Sequence, residues 1–193
     1  MGRLGYSISL AWWGKIYGNQ KDLADIFFTT EYVNFTNSNG DMTTLPGLGF
    51  NIVRYNAGAS SYNNITLDSG EVIQMIPSEN IISSRQIDGY WLDPVLDVWD
   101  FTVDQNQRNM LQLAIERIPA DTLLTELFSN SPMWWQLSNY NPSGSSDGSD
   151  NLNASEYYNH ARYLSTLYNY AMNHWNVTFN YVERTRFSLV EEH

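Results

Sequence analysis

The sequence predicts an α/β fold, an incomplete (β/α)8 TIM barrel made of its first four parallel strands and three connecting helical segments. Short β-prone runs alternate with amphipathic helical runs along the chain, which is typical of a parallel sheet with right-handed crossovers. Aromatic, Asn and Arg side chains gather where the predicted strands end, as working residues do in barrels. The chain has 193 residues, whereas a complete barrel typically needs about 250.

The first part of the chain holds two predicted strands and one predicted helix. Residues 6–13 are apolar and β-prone and form the first strand. Residues 22–28 form a short helix, because apolar residues recur at i, i+3 and i+4 on one face. Residues 34–46, dense in Asn, Thr and Gly, are predicted to be a polar loop. Residues 50–56, β-branched and aromatic between two glycines, form the second strand.

A long connection precedes the second predicted helix. Residues 57–102 are predicted to be an irregular insertion, and barrels build their sites from such loops. Asp104 begins the helix, with Gln107 three residues later as in a capping box. Its apolar stripe comprises Met110, Leu111, Ala114 and Ile115. Pro119 ends it.

The last part of the chain continues the alternation. Residues 123–129 are the third predicted strand and residues 178–183 the fourth. Between them, residues 156–175 form the clearest helix. Its residues at helical spacing are Tyr157, Ala161, Leu164, Tyr168, Ala171 and Trp175.

Charge and composition exclude several classes of function. The formal net charge is −11, the opposite of the basic balance that nucleic-acid-binding proteins show. No apolar run approaches the ~20 residues of a membrane span. The chain has no cysteine, which excludes disulfides and thiol chemistry. Aromatic residues make up 15% of the chain, and they suit either stacking on sugar rings or a Tyr-rich core.

Sequons for N-glycosylation point to secretion. The pattern Asn-x-Ser/Thr occurs at Asn34, Asn64, Asn153 and Asn176. Together these sites predict an extracellular protein. Residues 1–5 lack the apolar region of a signal peptide, so we expect the signal peptide to be absent from this chain.

The candidate substrate-binding residues lie at or after the predicted strand ends. They are Trp12, Trp13, Arg54, Asn56, Trp134 and Trp135. The Trp rings either stack on substrate or pack in the core. Arg54 is unusual in an apolar strand and must be paired if buried, in a structural ion pair or in the site. Glu183 is a weak candidate for a catalytic carboxylate, and we favour its interpretation as the partner of Arg54.

Other chemistries find little support in the sequence. His160, His174 and His193 lack metal-ligand spacing, so we predict no metal site. His160 and His174 are predicted to lie on a solvated helix face. Neither a phosphate-binding glycine loop nor a Gly-x-Ser-x-Gly elbow is present.

A series of stretches runs in the same order as the motifs of one known family. They are Ser9-Leu-Ala-Trp-Trp13, Pro46-Gly-Leu-Gly-Phe-Asn-Ile-Val-Arg-Tyr-Asn-Ala-Gly58, Ser84-Arg-Gln-Ile-Asp-Gly89, Asp104-Gln-Asn-Gln-Arg108, Glu126-Leu-Phe-Ser-Asn-Ser-Pro-Met-Trp-Trp135, Asn141-Pro-Ser-Gly144 and Asp150-Asn-Leu152. On these residues the chain resembles glycoside hydrolase family 30, in its fungal endo-β-1,6-galactanase-like branch. Residues 1–183 are therefore assigned to the N-terminal half of a barrel domain, and 184–193 to a divergent tail.

The resemblance implies retaining hydrolysis of β-1,6-galactan side chains. It implies a polysaccharide partner, and no cofactor, nucleic acid, membrane or obligate protein partner. Such enzymes use two glutamates about 5–5.5 Å apart. The family's fourth strand reads Val-Glu-Ala-Phe-Asn-Glu-Pro, and its second Glu is the acid/base. Here Val182 and Glu183 match the start, whereas Phe187 falls at the acid/base position. Neither catalytic glutamate carries over, so we expect a truncated chain that is inactive alone.

Two alternatives stay open. One is a non-catalytic carbohydrate-binding protein that keeps the aromatic site walls. The other is a half barrel that dimerises to rebuild a full one. Because an incomplete barrel has two open sheet edges that can pair with other chains, we also expect marginal stability or a tendency to aggregate.

Overall fold

The computed structural model describes residues 5–76 and 86–183. In chain order, its strands and helices are β1 (Ser7–Ser9), α1 (Trp13–Tyr17), α2 (Lys21–Phe28), β2 (Tyr32–Thr36), β3 (Met42–Pro46), β4 (Ile52–Asn56), β5 (Ile65–Thr66), β6 (Val72–Ile73), β7 (Trp91–Asp93), β8 (Val98–Trp99), α3 (Gln105–Arg117), β9 (Leu124–Phe128), α4 (Tyr157–Tyr170) and β10 (Tyr181–Glu183). Single helical turns lie at Trp134–Gln136 and Ala154–Glu156, and a π-helical turn at Ala171–Trp175.

The main sheet contains four parallel strands within the described residues, in the order β1-β4-β9-β10. β1 and β4 pair with Ser7 opposite Ile52 and Ser9 opposite Arg54. Helices lie along the chain between successive strands of this sheet. This is the arrangement of part of an α/β barrel, and the predicted fold class is confirmed. β1 and β10 are both shorter than the strands predicted over residues 6–13 and 178–183.

The described chain divides into two compact units. The first comprises the chain up to Tyr55 together with Gln105–Glu126, and the second comprises Asn56–Asp104 and the chain from Leu127 onward. In the first unit, α3 packs against α1 and α2. It buries Met110, Leu111 and Ala114, as its spacing predicts. Arg117 in its last turn places Nε 2.5 Å from Oδ1 of Asp25 on α2.

The C-terminal end of α1 approaches the first turn of α3 closely. A Cβ at Gly18 would overlap the backbone carbonyl of Asn106, so a larger residue fits there only if the two helices move. The Asn106 side-chain amide also donates to the carbonyl of Lys15 at 2.8 Å. A Cβ at Gly14, one turn earlier, would lie 3.5 Å from the Gln107 side chain, which is an ordinary contact.

Residues 34–46 belong to a hairpin, so the prediction of a polar loop is wrong. β2 and β3 pair in antiparallel register over their whole length. The connecting turn is closed by the N–H of Asn37, which donates to the carbonyl of Asp41 at 3.0 Å. Thr and Asn occur in loops, but β-branched Thr also favours strands. Here Val33 and Phe35 alternate with outward polar residues across β2.

The second unit contains two short hairpins where residues 57–102 were predicted to be irregular. β5 pairs with β6, and β7 with β8. Gly70 in the first of these turns adopts φ 86°, a conformation that glycine adopts without steric cost. Strands of two or three residues carry too little alternation for a period of two to stand out, which is why the sequence did not reveal them.

The helix predicted over 156–175 is confirmed, but its buried face differs from the predicted stripe. The buried side chains of α4 are His160, Tyr163, Leu164 and Leu167. Tyr157, predicted on the apolar face, is 52% exposed. Both faces carry aromatic residues, so the spacing alone does not tell which face is buried. The prediction that His160 lies on a solvated face is wrong, whereas His174 is exposed as predicted.

Some predicted features fall outside the described residues. These are the tail 184–193, including Phe187, and the start of the motif at Ser84. Within the ranges that are described, no helix has the length and apolar character needed to cross a bilayer.

Candidate functional site

An ion pair joins β4 and β9 in the first unit. Arg54 donates from Nε to Oε2 of Glu126 at 3.0 Å, and from Nη2 to Oε1 at 3.1 Å. The side chains of Arg54 and Glu126 are 31% and 16% exposed, so the ion pair is partly shielded from water. Two parallel charge-assisted hydrogen bonds fix the planes of both groups. The structure thus supplies the partner that Arg54 requires in an apolar strand.

Sequence reasoning selected Arg54 and missed Glu126. The same signal could have found it, because Glu126 is a lone charge within the apolar run of β9. Glu183, which was favoured as the partner of Arg54, is half-buried at the end of β10. Its role, as that partner or as a catalytic carboxylate, stays a prediction.

The two tryptophans after β1 have different environments. Trp12 adopts φ 70° and ψ −68°, and the N–H of Trp13 donates to the carbonyl of Ala11 at 2.9 Å. This is a γ-turn of the rare positive-φ kind, which stores strain. Trp12 is 49% exposed in this turn. Trp13 instead donates Nε1–H to the carbonyl of Ser9 at 2.6 Å and packs edge-on against Phe27.

Asn56 ends β4 and belongs to the second unit. It is 4% exposed, and its Oδ1 accepts the backbone N–H of Asn130 at 3.0 Å. The next N–H, of Ala57, donates to the carbonyl of Phe128 at 2.7 Å. These bonds join the end of β4 to the segment that follows β9. Asn56 therefore helps to position the loop that leads to the next tryptophan pair.

Trp134 and Trp135 are buried in the second unit. Trp134 is fully buried, and its Nε1–H donates to Oγ of Ser61 at 2.7 Å. Trp135 donates its Nε1–H to the carbonyl of Trp91 at 3.0 Å and meets the Trp91 ring edge-on, with centroids 5.0 Å apart. Both rings thus serve packing in this structure. Their binding of substrate stays a prediction.

An aromatic column that sequence reasoning missed lies in the second unit. Its successive rings are those of Trp91, Trp99, Phe101, Tyr170 and His174. The first pair of rings has centroids 4.7 Å apart and planes 12° apart. The Arg162 guanidinium stands 4.6 Å from the Trp91 ring centroid. In this unit, packing between rings accounts for part of the aromatic content, whereas Tyr158 and Tyr181 are exposed.

An exposed carboxylate flanks the column. Asp97 Oδ2 lies 2.7 Å from Nη2 of Arg162. The hydrogen bond from the Trp99 indole N–H, followed by that from Arg162, holds the pKa of Asp97 below its ordinary value. Because the pair is exposed, it contributes little to stability. Three aromatic residues within residues 91–101 were the available signal for this cluster.

Two buried groups of the second unit have displaced pKa values. Burial raises the pKa of Tyr163 far above its ordinary value, and its hydroxyl donates to the carbonyl of Gly58 at 2.6 Å. Burial lowers the pKa of His160 to about 4. Desolvation, rather than a neighbouring acid or base, dominates both shifts. The two pKa shifts therefore do not identify Tyr163 or His160 as a catalytic group.

Across residues 5–76 and 86–183, no group of three His, Asp or Glu side chains is placed to hold a metal ion. The second unit holds the buried amide of Asn56 and the buried indoles of Trp134 and Trp135. The first unit offers the exposed residue Trp12 and the planar ion pair of Arg54 and Glu126. Such groups can stack against and hydrogen-bond to a polyhydroxylated ligand.

Comparison with known proteins finds one curated relative along nearly the whole chain. The chain is 49% identical over 184 residues, 93% of its length, to a protein described as endo-β-1,6-galactanase from Hypocrea rufa. It spans 36% of that relative's own length. The predicted resemblance to a galactanase-like glycoside hydrolase is thereby confirmed. No family profile matches the chain, so family 30 stays a prediction.

Two solved structures share the fold. A conserved exported protein from Bacteroides fragilis superposes with a TM-score of 0.66 at 21% identity, over 93% of this chain and 33% of its own. SrfJ from Salmonella typhimurium superposes with a TM-score of 0.55 at 10% identity, over 92% of this chain and 32% of its own. At these identities the likeness concerns the fold alone.

Proposed function

We propose that this chain, related along nearly its whole length to galactanase-like glycoside hydrolases, carries substrate-binding parts of an enzyme that cleaves β-1,6-linked galactan with retention of configuration. The observation that carries the proposal is the 49% identity over 184 residues to an endo-β-1,6-galactanase. The parallel sheet supports it, since barrel enzymes work at the C-terminal ends of their strands. Membership of glycoside hydrolase family 30 is part of the same proposal.

Three residues of the first unit form the proposed binding surface. Trp12 offers an exposed indole face to the C–H face of a pyranose, and its strained turn keeps the ring in that position. Arg54 and Glu126 hold each other in a fixed plane. The Arg54 side chain is 31% exposed, and we propose that its guanidinium also donates to sugar hydroxyls. The exposure of Trp12 and the paired, partly exposed side chain of Arg54 support these roles.

Catalysis in the proposed enzyme requires two carboxyl groups about 5–5.5 Å apart. Phe187 occupies the position that matches the family's acid/base, and a phenyl ring cannot transfer a proton. We therefore propose that the chain as given binds galactan without hydrolysing it. Because the chain spans 36% of its relative, the activity and substrate of the whole protein are part of the proposal.

An extracellular location belongs to the same proposal. A polymeric galactan cannot cross a cell membrane, so an enzyme that cleaves it must meet it outside. Four glycosylation sequons support this location.

The test is a titration of the purified chain with β-1,6-galactan, followed by tryptophan fluorescence and by release of reducing ends. We expect a saturable fluorescence change without release, and no change with β-1,4-galactan. Trp12→Ala should weaken binding at least tenfold, about 1.4 kcal/mol, whereas Trp12→Phe should keep most of the affinity. Absence of a saturable change contradicts the proposed binding. Release of reducing ends that Glu183→Gln abolishes would instead make Glu183 catalytic.

A further inference from the structure

The hairpin β2–β3 of the first unit exposes an uncharged and partly apolar face. Exposed and half-buried side chains alternate along β2, so Tyr32, Asn34 and Thr36 share its outer face. Every residue of β3 is exposed. Tyr32 and Met42 keep 75% and 74% of their exposure. Neither strand contains Asp, Glu, Lys or Arg.

Such a hairpin presents a bare strand edge. β2 and β3 form a two-stranded sheet, so the outer edge of β3 faces no further strand among the residues described. Unpaired edges template association with other chains, and proteins protect them with charge, proline or a cover. Pro46 protects one end of β3. The rest of this edge, and the exposed face of the hairpin beside it, carry neither charge nor proline.

We propose that Asn34 carries an N-linked glycan that covers this face. Asn34-Phe35-Thr36 is an acceptor sequon, and its Asn and Thr both point outward. Thr44, opposite Asn34 in the register, donates its hydroxyl to Asn34 Oδ1 at 2.8 Å. This bond orients the amide and leaves Nδ2 without a hydrogen-bond acceptor among the described residues, in the outward position that attachment requires.

The neighbours of Asn34 are placed to meet a sugar. Tyr32 precedes it by two residues on the same face, about 7 Å along the strand. Its ring thus lies within reach of the first sugar, whose C–H face stacks on an aromatic ring. Met42 stands opposite Thr36, two residues further along. A glycan on Asn34 therefore sits between two strongly exposed side chains that are costly to leave in water.

The modification forms one bond and breaks one. Nδ2 of Asn34 attacks the anomeric carbon of an oligosaccharide that is carried on a lipid pyrophosphate. The bond from Nδ2 to the anomeric carbon forms as the bond from that carbon to the pyrophosphate oxygen breaks. The lipid pyrophosphate leaves with the electron pair, Nδ2 loses a proton to a base, and nothing is oxidised or reduced. The step rests on the secretory location proposed above, but not on galactan binding.

Occupancy of the site is measured on the full chain, expressed behind a secretion leader in yeast, with secreted and retained protein pooled. N-glycosidase treatment in heavy-oxygen water marks each Asn that carried a glycan. We expect Asn34 to be marked in most molecules, and unmarked in Thr36→Ala. Thr43→Val, at an exposed position of β3 opposite Phe35, keeps both the sequon and the bond from Thr44 to Asn34, and it is the matched control, which should keep the glycan. An unmarked Asn34 in the unsubstituted chain overturns the proposal, whatever the same preparation does with galactan.

The covering role is measured by oxidation of Met42 with dilute hydrogen peroxide, because an accessible thioether oxidises faster than a covered one. We expect Met42 to oxidise at least about threefold more slowly in the glycosylated chain than in Asn34→Gln from the same host. Met172, 43% exposed, is the internal reference and should oxidise equally in both. Equal Met42 rates would overturn the covering role.

Discussion

The carboxylate of Glu126 is held by two hydrogen bonds from Arg54 in a partly buried position. Removing one member leaves the other charge shielded from water without its counter-ion, which costs more than the pair contributes. We expect Glu126→Gln to lower the free energy of unfolding by about 1–3 kcal/mol, measured by urea denaturation. Arg54→Met should have the same sign. The double variant Arg54→Met/Glu126→Gln should lose less stability than the sum of the two single losses, and strictly additive losses would contradict this coupling.

His160 makes stability depend on pH. Burial lowers its pKa in the folded chain to about 4, from an ordinary value of 6.5. Between these two values the unfolded chain binds more protons than the folded chain, so the stability present above pH 6.5 is lost as the pH falls towards 4. We expect this residue to account for up to about 3 kcal/mol of that loss.

The measurement is the free energy of unfolding of the unsubstituted chain and of His160→Gln at pH 7 and pH 4.5. Carboxylates titrate in both chains, so the difference between the two isolates the histidine. The variant should lose less stability on acidification. The same loss in both chains would show that His160 does not titrate in this range.

The residue scale also shows where sequence reasoning stops. Arg54 could be selected because a charge is unusual in an apolar strand, and Asn56 because it lies at the C-terminal end of that strand. Whether Trp12 or Trp13 turns outward depends on a strained backbone turn that no local pattern encodes. The burial of Trp134 depends on Ser61, which is remote in sequence. Such pairings become visible only in the folded chain.

Between α1 and α3, one glycine decides how closely the helices pack. We expect Gly18→Ala to lower the free energy of unfolding by about 1–3 kcal/mol, because its Cβ would overlap the Asn106 carbonyl. Gly14→Ala is the matched control in the same helix. Its Cβ meets an ordinary contact, and the better helix propensity of Ala should leave stability unchanged or raise it by up to about 1 kcal/mol. Similar melting temperatures for the two variants would refute the close approach.

The longer helices and strands were the ones that could be predicted from the sequence. α3, α4, β4 and β9 carry periodic patterns long enough to identify from the sequence. The hairpin β2–β3 was missed because its Thr and Asn residues also favour loops. β5 to β8 have two or three residues each and depend on pairing partners rather than on their own pattern.

For the molecule as a whole, the open edges of the sheet favour association between molecules, and the net charge opposes it. The main sheet of the described residues has β1 and β10 as its outer strands, and open edges favour association. A net charge of −11 opposes association by mutual repulsion. Salt weakens this repulsion, since the screening length falls from about 10 Å at 0.1 M to about 3 Å at 1 M. We therefore expect the average mass in sedimentation equilibrium to rise with sodium chloride.

Charge placed on the outer strand tests this account. Val182, 51% exposed on β10, becomes charged in Val182→Lys, which should reduce the salt-dependent association. The control is Val72→Lys, which changes the net charge by the same amount. Val72 is 59% exposed and lies in β6 of the β5–β6 hairpin, outside the main sheet. A monomer at every salt concentration, or equal effects of the two variants, would argue against association through this edge.

The stacked indoles of Trp91 and Trp99 have an optical consequence. With centroids 4.7 Å and planes 12° apart, the two chromophores share an excited state, so the pair absorbs as a unit. We expect circular dichroism to show a couplet of opposite bands in addition to the helix signal. Because β7 and β8 each supply one indole, parting of these strands abolishes the couplet even where the helices persist. The couplet would thus report whether the β7–β8 hairpin is formed, although its strands are too short to be recognised in the sequence.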